Sequence, residues 1–290
     1  FGIMTFGLLA IYLWIGWTAA QFGIPARLVE RGVKVAPGFV ASLNVAAVLL
    51  AAATYYGYAV YPALLFSFGA LLLGFRYLET GRRRWLVAAG VLLGVTAFFR
   101  IDLGFYAAAA VGVLLLLPRL LPPKGEARWG QRLRGLLGDV LAAFGPAALL
   151  VAGFYGVLGS MAGYDRMVQN LLVFPATTFR AVRRLPYPAP LPDWSIWLGE
   201  GSIDSRLDQM FGDYLRFYVP LIVYGVVLGL LVWRGVRAVQ GRAQFTRTDS
   251  MAAAILALGL GLFMQALSRY DEIHVLPASL AGVAVPCRLM

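Results

Sequence analysis

Long uncharged apolar runs recur along almost the whole chain, and they limit what it can fold into more than any other feature. Most of them approach the roughly 20 residues that a helix needs to cross the hydrocarbon core of a bilayer. They lack the ten-residue alternation of apolar and polar residues that is typical of a transmembrane β-strand. We therefore predict an all-α, polytopic transmembrane helix bundle of about nine spans. The predicted spans are residues 1–20, 39–56, 63–77, 85–99, 105–117, 140–158, 217–233, 251–267 and a last one from about 273 onward.

The composition supports a membrane protein and excludes a soluble domain. Hydrophobic residues make up 60% of the 290 residues, charged residues only 13%, and the mean hydropathy is +0.75. Ordinary soluble domains carry about 25% charged residues. The single cysteine, Cys287, rules out an internal disulfide and any cysteine-based metal cluster. We predict one transmembrane domain over residues 1–290, interrupted by one long hydrophilic loop at 160–216.

The net charge of +11 is distributed in a way that predicts the orientation of the bundle. The first, third, fifth and seventh connections between the predicted spans each carry +2 or +3, whereas those between them carry zero or −1. By the positive-inside rule the basic connections are cytoplasmic and the loop 160–216 is extracytoplasmic. We predict that the protein is a multi-pass protein of the cell (inner) membrane. The basic charge is therefore a topology signal, and no nucleic-acid partner is predicted. Because this orientation places Phe1 outside without a targeting segment, we expect at least one further span upstream. We also expect a truncated C-terminus, since the chain stops about where the last span should reach the cytoplasm.

Residues 268–277 combine a base, two acids and the only histidine between two apolar runs. Ionisable residues at a membrane edge are candidate functional residues because holding charge there is costly. Asp271 and His274 share a helix face, and Arg269 and Glu272 share the next one. The alternative is a solvated turn between two spans, with Arg269 and Glu272 paired.

Two further polar features are predicted on the same outer face. Arg100 and Asp102 interrupt an apolar hairpin, and their spacing suits a tight turn in which Gly104 allows the chain to return closely. They form either a self-neutralising pair at a helix end or an arginine site for a phosphate or carboxylate. In the long loop, Arg183 and Arg184 belong to a basic segment that suits either an amphipathic surface helix or a site for lipid phosphate.

Three short motifs stand out along the chain. The first is a basic turn, a glycine-containing span and a terminal Arg-x-Asp. The second is Phe-Pro followed by Arg-Arg-Leu-Pro-Tyr-Pro, and the third is Arg-x-Asp-x-x-His-x-x-Pro. Their residues are Arg82-Arg83-Arg84 with Gly90, Gly94, Arg100 and Asp102; Phe174-Pro175 with residues 183–188; and Arg269, Asp271, His274 and Pro277. Together they resemble motifs of bacterial membrane glycosyltransferases of the GT-C superfamily, which includes mannosyl- and aminoarabinosyl-transferases that use polyprenyl-phosphate sugars.

The resemblance implies transfer of a sugar from a polyprenyl-phosphate donor to an acceptor on the outer face of the membrane. It also implies a catalytic Asp or Glu in the first external loop. Here no acid precedes Glu30, on the predicted cytoplasmic side, so we expect that carboxylate upstream of residue 1, and the catalytic residue is unassigned. Cations would stabilise the leaving phosphate and carboxylates would orient them or bind sugar hydroxyls. The residues assigned to substrate and phosphate are Arg100, Asp102, Arg183, Arg184, Arg269, Asp271 and His274.

No cofactor or metal is predicted, because Asp271, Glu272 and His274 lie too close on one helix to converge on one ion. Membrane lipid is the other expected partner. Two alternatives remain open. One is a transporter or flippase for a lipid-linked or anionic solute, and the other is a non-catalytic membrane scaffold or an O-antigen-polymerase-like protein. Few polar residues interrupt the spans and no inverted repeat is evident, which disfavours transport.

Overall fold

The computed structural model describes residues 60–121, 129–174, 177, 195–196, 202–203, 206 and 213–268. Within these ranges the chain is 91% helical and contains no strand, which confirms the all-α class. The helices are α1 (Val60–Thr80), α2 (Arg84–Phe99), α3 (Ile101–Leu120), α4 (Trp129–Ala162), α5 (Tyr164–Val168), which runs into a π-helical turn at Gln169–Val173, α6 (Asp213–Val239) and α7 (Arg247–Ser268).

Five of the described helices are long and apolar enough to cross a membrane, namely α1, α3, α4, α6 and α7. Helix α2 is equally apolar but has 16 residues, which gives it a length of about 24 Å at 1.5 Å per residue. These six helices coincide with the six spans predicted between residues 63 and 267. The other three predicted spans lie outside the described residues.

Helical structure extends into two of the predicted connections. In the basic connection at residues 118–138, α3 continues to Leu120 with Pro118 inside it, and α4 already begins at Trp129. In the long hydrophilic segment at residues 160–216, α4 continues to Ala162 and helical structure then runs on to Val173. Most of the rest of that segment lies outside the described residues. Hydropathy identifies the residues that prefer lipid, but a helix can continue beyond the membrane. The apolar run therefore gives the span and not the end of the helix.

Short turns join the helices where the sequence supplies the means. After α1, Gly81 adopts a positive φ of 69° and its N–H donates to the Tyr77 carbonyl at 2.8 Å. Between α2 and α3 a single extended residue, Arg100, separates the helices. Helix α7 begins with a capping box in which the Thr246 N–H and hydroxyl both donate to the Asp249 carboxylate, at 2.7 and 2.8 Å.

Small residues allow α2 and α4 to pack closely. Gly90 and Gly94 lie one turn apart on the face of α2 that meets α4. A Cβ at Gly90 would lie 2.1 Å from the Ala143 carbonyl oxygen, and one at Gly94 would lie 2.9 Å from the Leu150 Cβ. This is the spacing of the small-xxx-small motif, by which membrane helices bring their backbones together.

On the other side of the bundle, α7 packs against α3 and α6. Its glycines accept aromatic rings from both neighbours. The Tyr106 ring of α3 lies over Gly261, and the Tyr224 ring of α6 lies over Gly259. Helices α4 and α6 are the most exposed of the candidate spans and leave long apolar faces uncovered within the described part of the chain. Such faces are expected where a helix contacts lipid.

Candidate functional site

Arg100 and Asp102 form a bidentate ion pair at the turn between α2 and α3. The Arg100 Nε donates to Asp102 Oδ1 at 2.9 Å, and its Nη2 donates to Oδ2 at 2.6 Å. The backbone N–H of Leu103 also donates to Oδ1, at 3.0 Å. Both side chains are partly exposed, at 26% and 35%. The turn predicted from the sequence is confirmed, and Asp102 holds the guanidinium plane in a fixed orientation.

The backbone around this pair is closely packed, which keeps the turn in place. A Cβ at Gly104 would lie 2.8 Å from the Ala97 Cβ, so the predicted role of Gly104 in the close return is confirmed. The Tyr155 hydroxyl of α4 donates to the Ala97 carbonyl at 2.7 Å. This bond ties the C-terminal half of α4 to the end of α2, one turn before Arg100.

Aromatic side chains surround the same end of the bundle. The Phe98 ring stacks on Phe154 of α4 with centroids 4.4 Å apart, and the Phe99 ring stacks on Phe66 of α1 at 5.7 Å. Aromatic residues are enriched where a membrane protein passes through the headgroup region. The Arg100–Asp102 pair therefore lies at a helix-bundle end of interfacial character, with apolar helices leading away from it.

The remaining predicted site residues lie outside the described residues. These are Arg183, Arg184, Arg269, Asp271 and His274. Their convergence with Arg100 stays a prediction. Among the described residues there is no group of histidine, cysteine, aspartate or glutamate side chains that could hold a metal ion.

A second charged cluster, which the sequence analysis did not identify, lies at the opposite end of the same helices. Its centre is Asp139 of α4, whose side chain is only 2% exposed. The carboxylate accepts hydrogen bonds from the Tyr77 hydroxyl at 2.5 Å, from the Arg83 Nε at 3.0 Å and from the Arg119 Nη2. The Arg119 Nη2 also donates to the Tyr77 hydroxyl oxygen at 3.2 Å.

The cluster joins four elements through one carboxylate. Tyr77 belongs to α1, Arg83 precedes α2, Arg119 ends α3 and Asp139 lies in the first third of α4. A buried carboxylate is tolerated because it is paired and hydrogen-bonded on both oxygens. The sequence contains one signal for this cluster. Asp139 lies between a basic segment and the apolar span 140–158, and an acid at the edge of a span needs a partner.

A further ion pair links α6 to α7 near their connection. The Asp249 side chain is fully buried, and the Arg234 Nε lies 3.0 Å from its Oδ1. Because the same carboxylate caps α7 through Thr246, it serves the helix start and the inter-helix contact together. This pair lies within the basic end of the bundle, since a Cβ at Gly235 of α6 would lie 3.8 Å from the Leu121 side chain after α3.

The two ends of the described bundle thus differ in charge and character. One end carries the partly exposed Arg100–Asp102 ion pair among aromatic rings, and the other carries a cluster of arginines around one buried aspartate. A scan against protein-family models, a search of curated proteins and a search of solved structures each found no match for this chain, so its function is argued from its own residues.

Proposed function

We propose that this chain is a membrane glycosyltransferase, or part of one, that transfers a sugar from a polyprenyl-phosphate donor to an acceptor on the outer face of the membrane. The observation that carries the proposal is the Arg100–Asp102 pair, fixed at the turn of an apolar helix hairpin. The resemblance of three motifs in the sequence to GT-C glycosyltransferases supports it. In this proposal the chain has about nine spans and the end bearing Arg100 faces outward.

Arg100 would stabilise the polyprenyl phosphate as it departs from the sugar. A guanidinium presents several N–H donors in a planar fork that matches phosphate oxygens. Asp102 engages Nε and Nη2 of Arg100 and so fixes where the fork points. A cation oriented before the reaction stabilises developing negative charge without a reorganisation step.

The position of the pair suits a lipid-linked substrate. Its phosphate would lie at the membrane edge beside Arg100, and its isoprenoid chain would run into the bilayer along the apolar helices. The aromatic rings of Phe98, Phe99 and Phe154 lie at that edge. Arg183, Arg184, Arg269, Asp271 and His274 are proposed as further phosphate or sugar contacts. An inverting transfer also needs a carboxylate to deprotonate the acceptor hydroxyl, and we assign that base to none of the described residues.

The test is transfer of label from a radiolabelled polyprenyl-phosphate sugar by the full-length protein in membranes. We expect Arg100→Gln to lower the turnover rate about 100-fold or more, as removal of an oriented charge-stabilising donor does. Arg100→Lys, which keeps the charge but not the fork, should restore only part of the activity. Asp102→Asn should lower activity less than Arg100→Gln, because the cation remains.

The matched control is Arg242→Gln, an exposed arginine in the turn between α6 and α7 that has no ion pair among the described residues. It should insert and transfer as the wild type does. Equal activity of Arg100→Gln and the wild type would show that the Arg100–Asp102 pair does not belong to the substrate site. Absence of transfer by the wild type with several donors would overturn the glycosyltransferase proposal and favour transport.

A further inference from the structure

We propose that the basic end of the bundle holds a site for the phosphate headgroup of an anionic phospholipid, centred on Arg83 and Arg134. This site is independent of the proposed sugar transfer. It lies at the far end of α2 from Arg100, about 24 Å away by the rise of the helix.

Arg83 is held in place but not neutralised. Its Nε is bound by the buried Asp139, yet its side chain is 58% exposed. Its guanidinium lies over Gly138 so closely that a Cβ there would be 2.7 Å from Nη2. Within the described part of the chain, its two terminal nitrogens donate no hydrogen bond. Asp139 thus orients a cation whose side chain is more than half exposed.

The surroundings of Arg83 carry an excess of positive charge. Asp139 meets two arginines, Arg83 and Arg119, so this buried group keeps a net charge of one cation. Arg134 precedes Gly138 by one helical turn and therefore shares its face of α4 with the Arg83 guanidinium. Arg84 lies over the Trp85 ring, 4.9 Å from its centroid. Glu79, the acid nearest in sequence to this turn, is already paired with Arg76 at 3.1 Å.

A phosphate is the anion that this geometry fits. Arginine forks bind carboxylate and phosphate oxygens in pairs, and a phosphate has enough oxygens to accept a pair of hydrogen bonds from each of two arginines. The site lies where apolar helices end in a basic turn, which is the depth of lipid headgroups. Clusters of arginine next to a membrane span attract anionic lipids, and each arginine raises the affinity for the lipid about fivefold. We therefore assign the site to a membrane phospholipid and not to a soluble phosphate.

The experiment titrates the purified full-length protein, in a neutral detergent, with a short-chain phosphatidylglycerol and follows the midpoint of thermal unfolding. A ligand that binds the folded protein raises this midpoint in a concentration-dependent way. Parallel titrations use the phosphatidylcholine of the same chain length and inorganic phosphate. We expect stabilisation by the phosphatidylglycerol alone.

Arg134→Gln should raise the half-maximal concentration of phosphatidylglycerol about fivefold without touching the Asp139 hydrogen bonds. Arg83→Lys keeps a cation beside Asp139 but lacks the fork, and it should also weaken binding. Arg242→Gln, at the same basic end, is the matched control and should bind as the wild type does.

Each of the other outcomes is decisive. Unchanged affinity in both Arg134→Gln and Arg83→Lys would overturn the site. Equal weakening by Arg242→Gln would show that the whole basic end attracts lipid without a built site. Equal stabilisation by phosphatidylcholine would show that the negative charge of the lipid does not contribute to binding, and would overturn the proposal. Stabilisation by inorganic phosphate at the same concentration would overturn the assignment to lipid.

Discussion

Replacement of Asp139 by asparagine tests the buried cluster most sharply. The change preserves shape but removes the negative charge, so Arg83 and Arg119 lose their common partner. Removing one partner of a buried ion pair costs about 3–5 kcal/mol, because the other charge is left uncompensated. Arg83 is 58% exposed and can regain water, whereas Arg119 is 22% exposed and regains less. We therefore expect a loss near the lower end of that range, about 3 kcal/mol.

The assay is the free energy of unfolding, measured by titrating the protein in mixed micelles with a denaturing detergent. The matched control is Asp165→Asn, the same chemical change at an exposed aspartate of α5. It should alter the free energy of unfolding by no more than about 0.5 kcal/mol. A loss of less than about 1 kcal/mol for Asp139→Asn would refute the reasoning, because the carboxylate would then not be both buried and shared.

Three further predictions concern the same measurement of unfolding free energy. Arg119→Gln should destabilise the protein more than Arg83→Gln does, because Arg119 is the less exposed partner and also bonds Tyr77; the reverse order would contradict the assigned hydrogen bonds. Gly90→Ala should cost about 1–3 kcal/mol or more through its clash with α4, whereas Gly112→Ala, with open space around it, should be neutral or stabilising; similar values for both would refute the close packing of α2 on α4. Thr246→Ala should cost about 1 kcal/mol through loss of the cap of α7, and no loss would show that Asp249 caps the helix without it.

Hydrophobicity was enough to predict the helical class and the six described apolar helices, because the need to satisfy backbone groups in lipid leaves few other solutions. It predicted the ends of the helices less well. Residues 129–138 are too polar to count as a span, yet they extend α4 as a helix beyond the apolar run. Their polarity reports where the helix leaves the lipid and says little about where the helix ends.

The charged sites differ in how far the sequence could predict them. The Arg100–Asp102 pair is local, so its spacing and the following Gly104 were sufficient. The Asp139 cluster is not local, since its tyrosine and one of its arginines lie 62 and 20 residues away along the chain. Only the packing of α1 and α3 against their neighbours brings those side chains together, and no short motif records it.

The small-xxx-small contact was within reach of the sequence. Gly90 and Gly94 belong to the motif that ends in Arg100-x-Asp102, and their four-residue spacing also predicts a helix interface. What the spacing leaves open is which helix packs there. Ala143 and Ala147 of α4 show the same spacing on the opposite side of the contact.

The proposed sugar transfer depends on the two ends of the bundle facing opposite sides of the membrane, with the Arg100 end outward. This is measured most directly with single cysteines in the full-length protein, after Cys287→Ser, labelled in intact cells by a membrane-impermeant maleimide. Asp165→Cys, just beyond the Ala162 end of α4, should be labelled at once. Arg82→Cys, in the basic turn, should be labelled only after the membrane is permeabilised. Labelling of Arg82→Cys but not Asp165→Cys in intact cells would contradict the account.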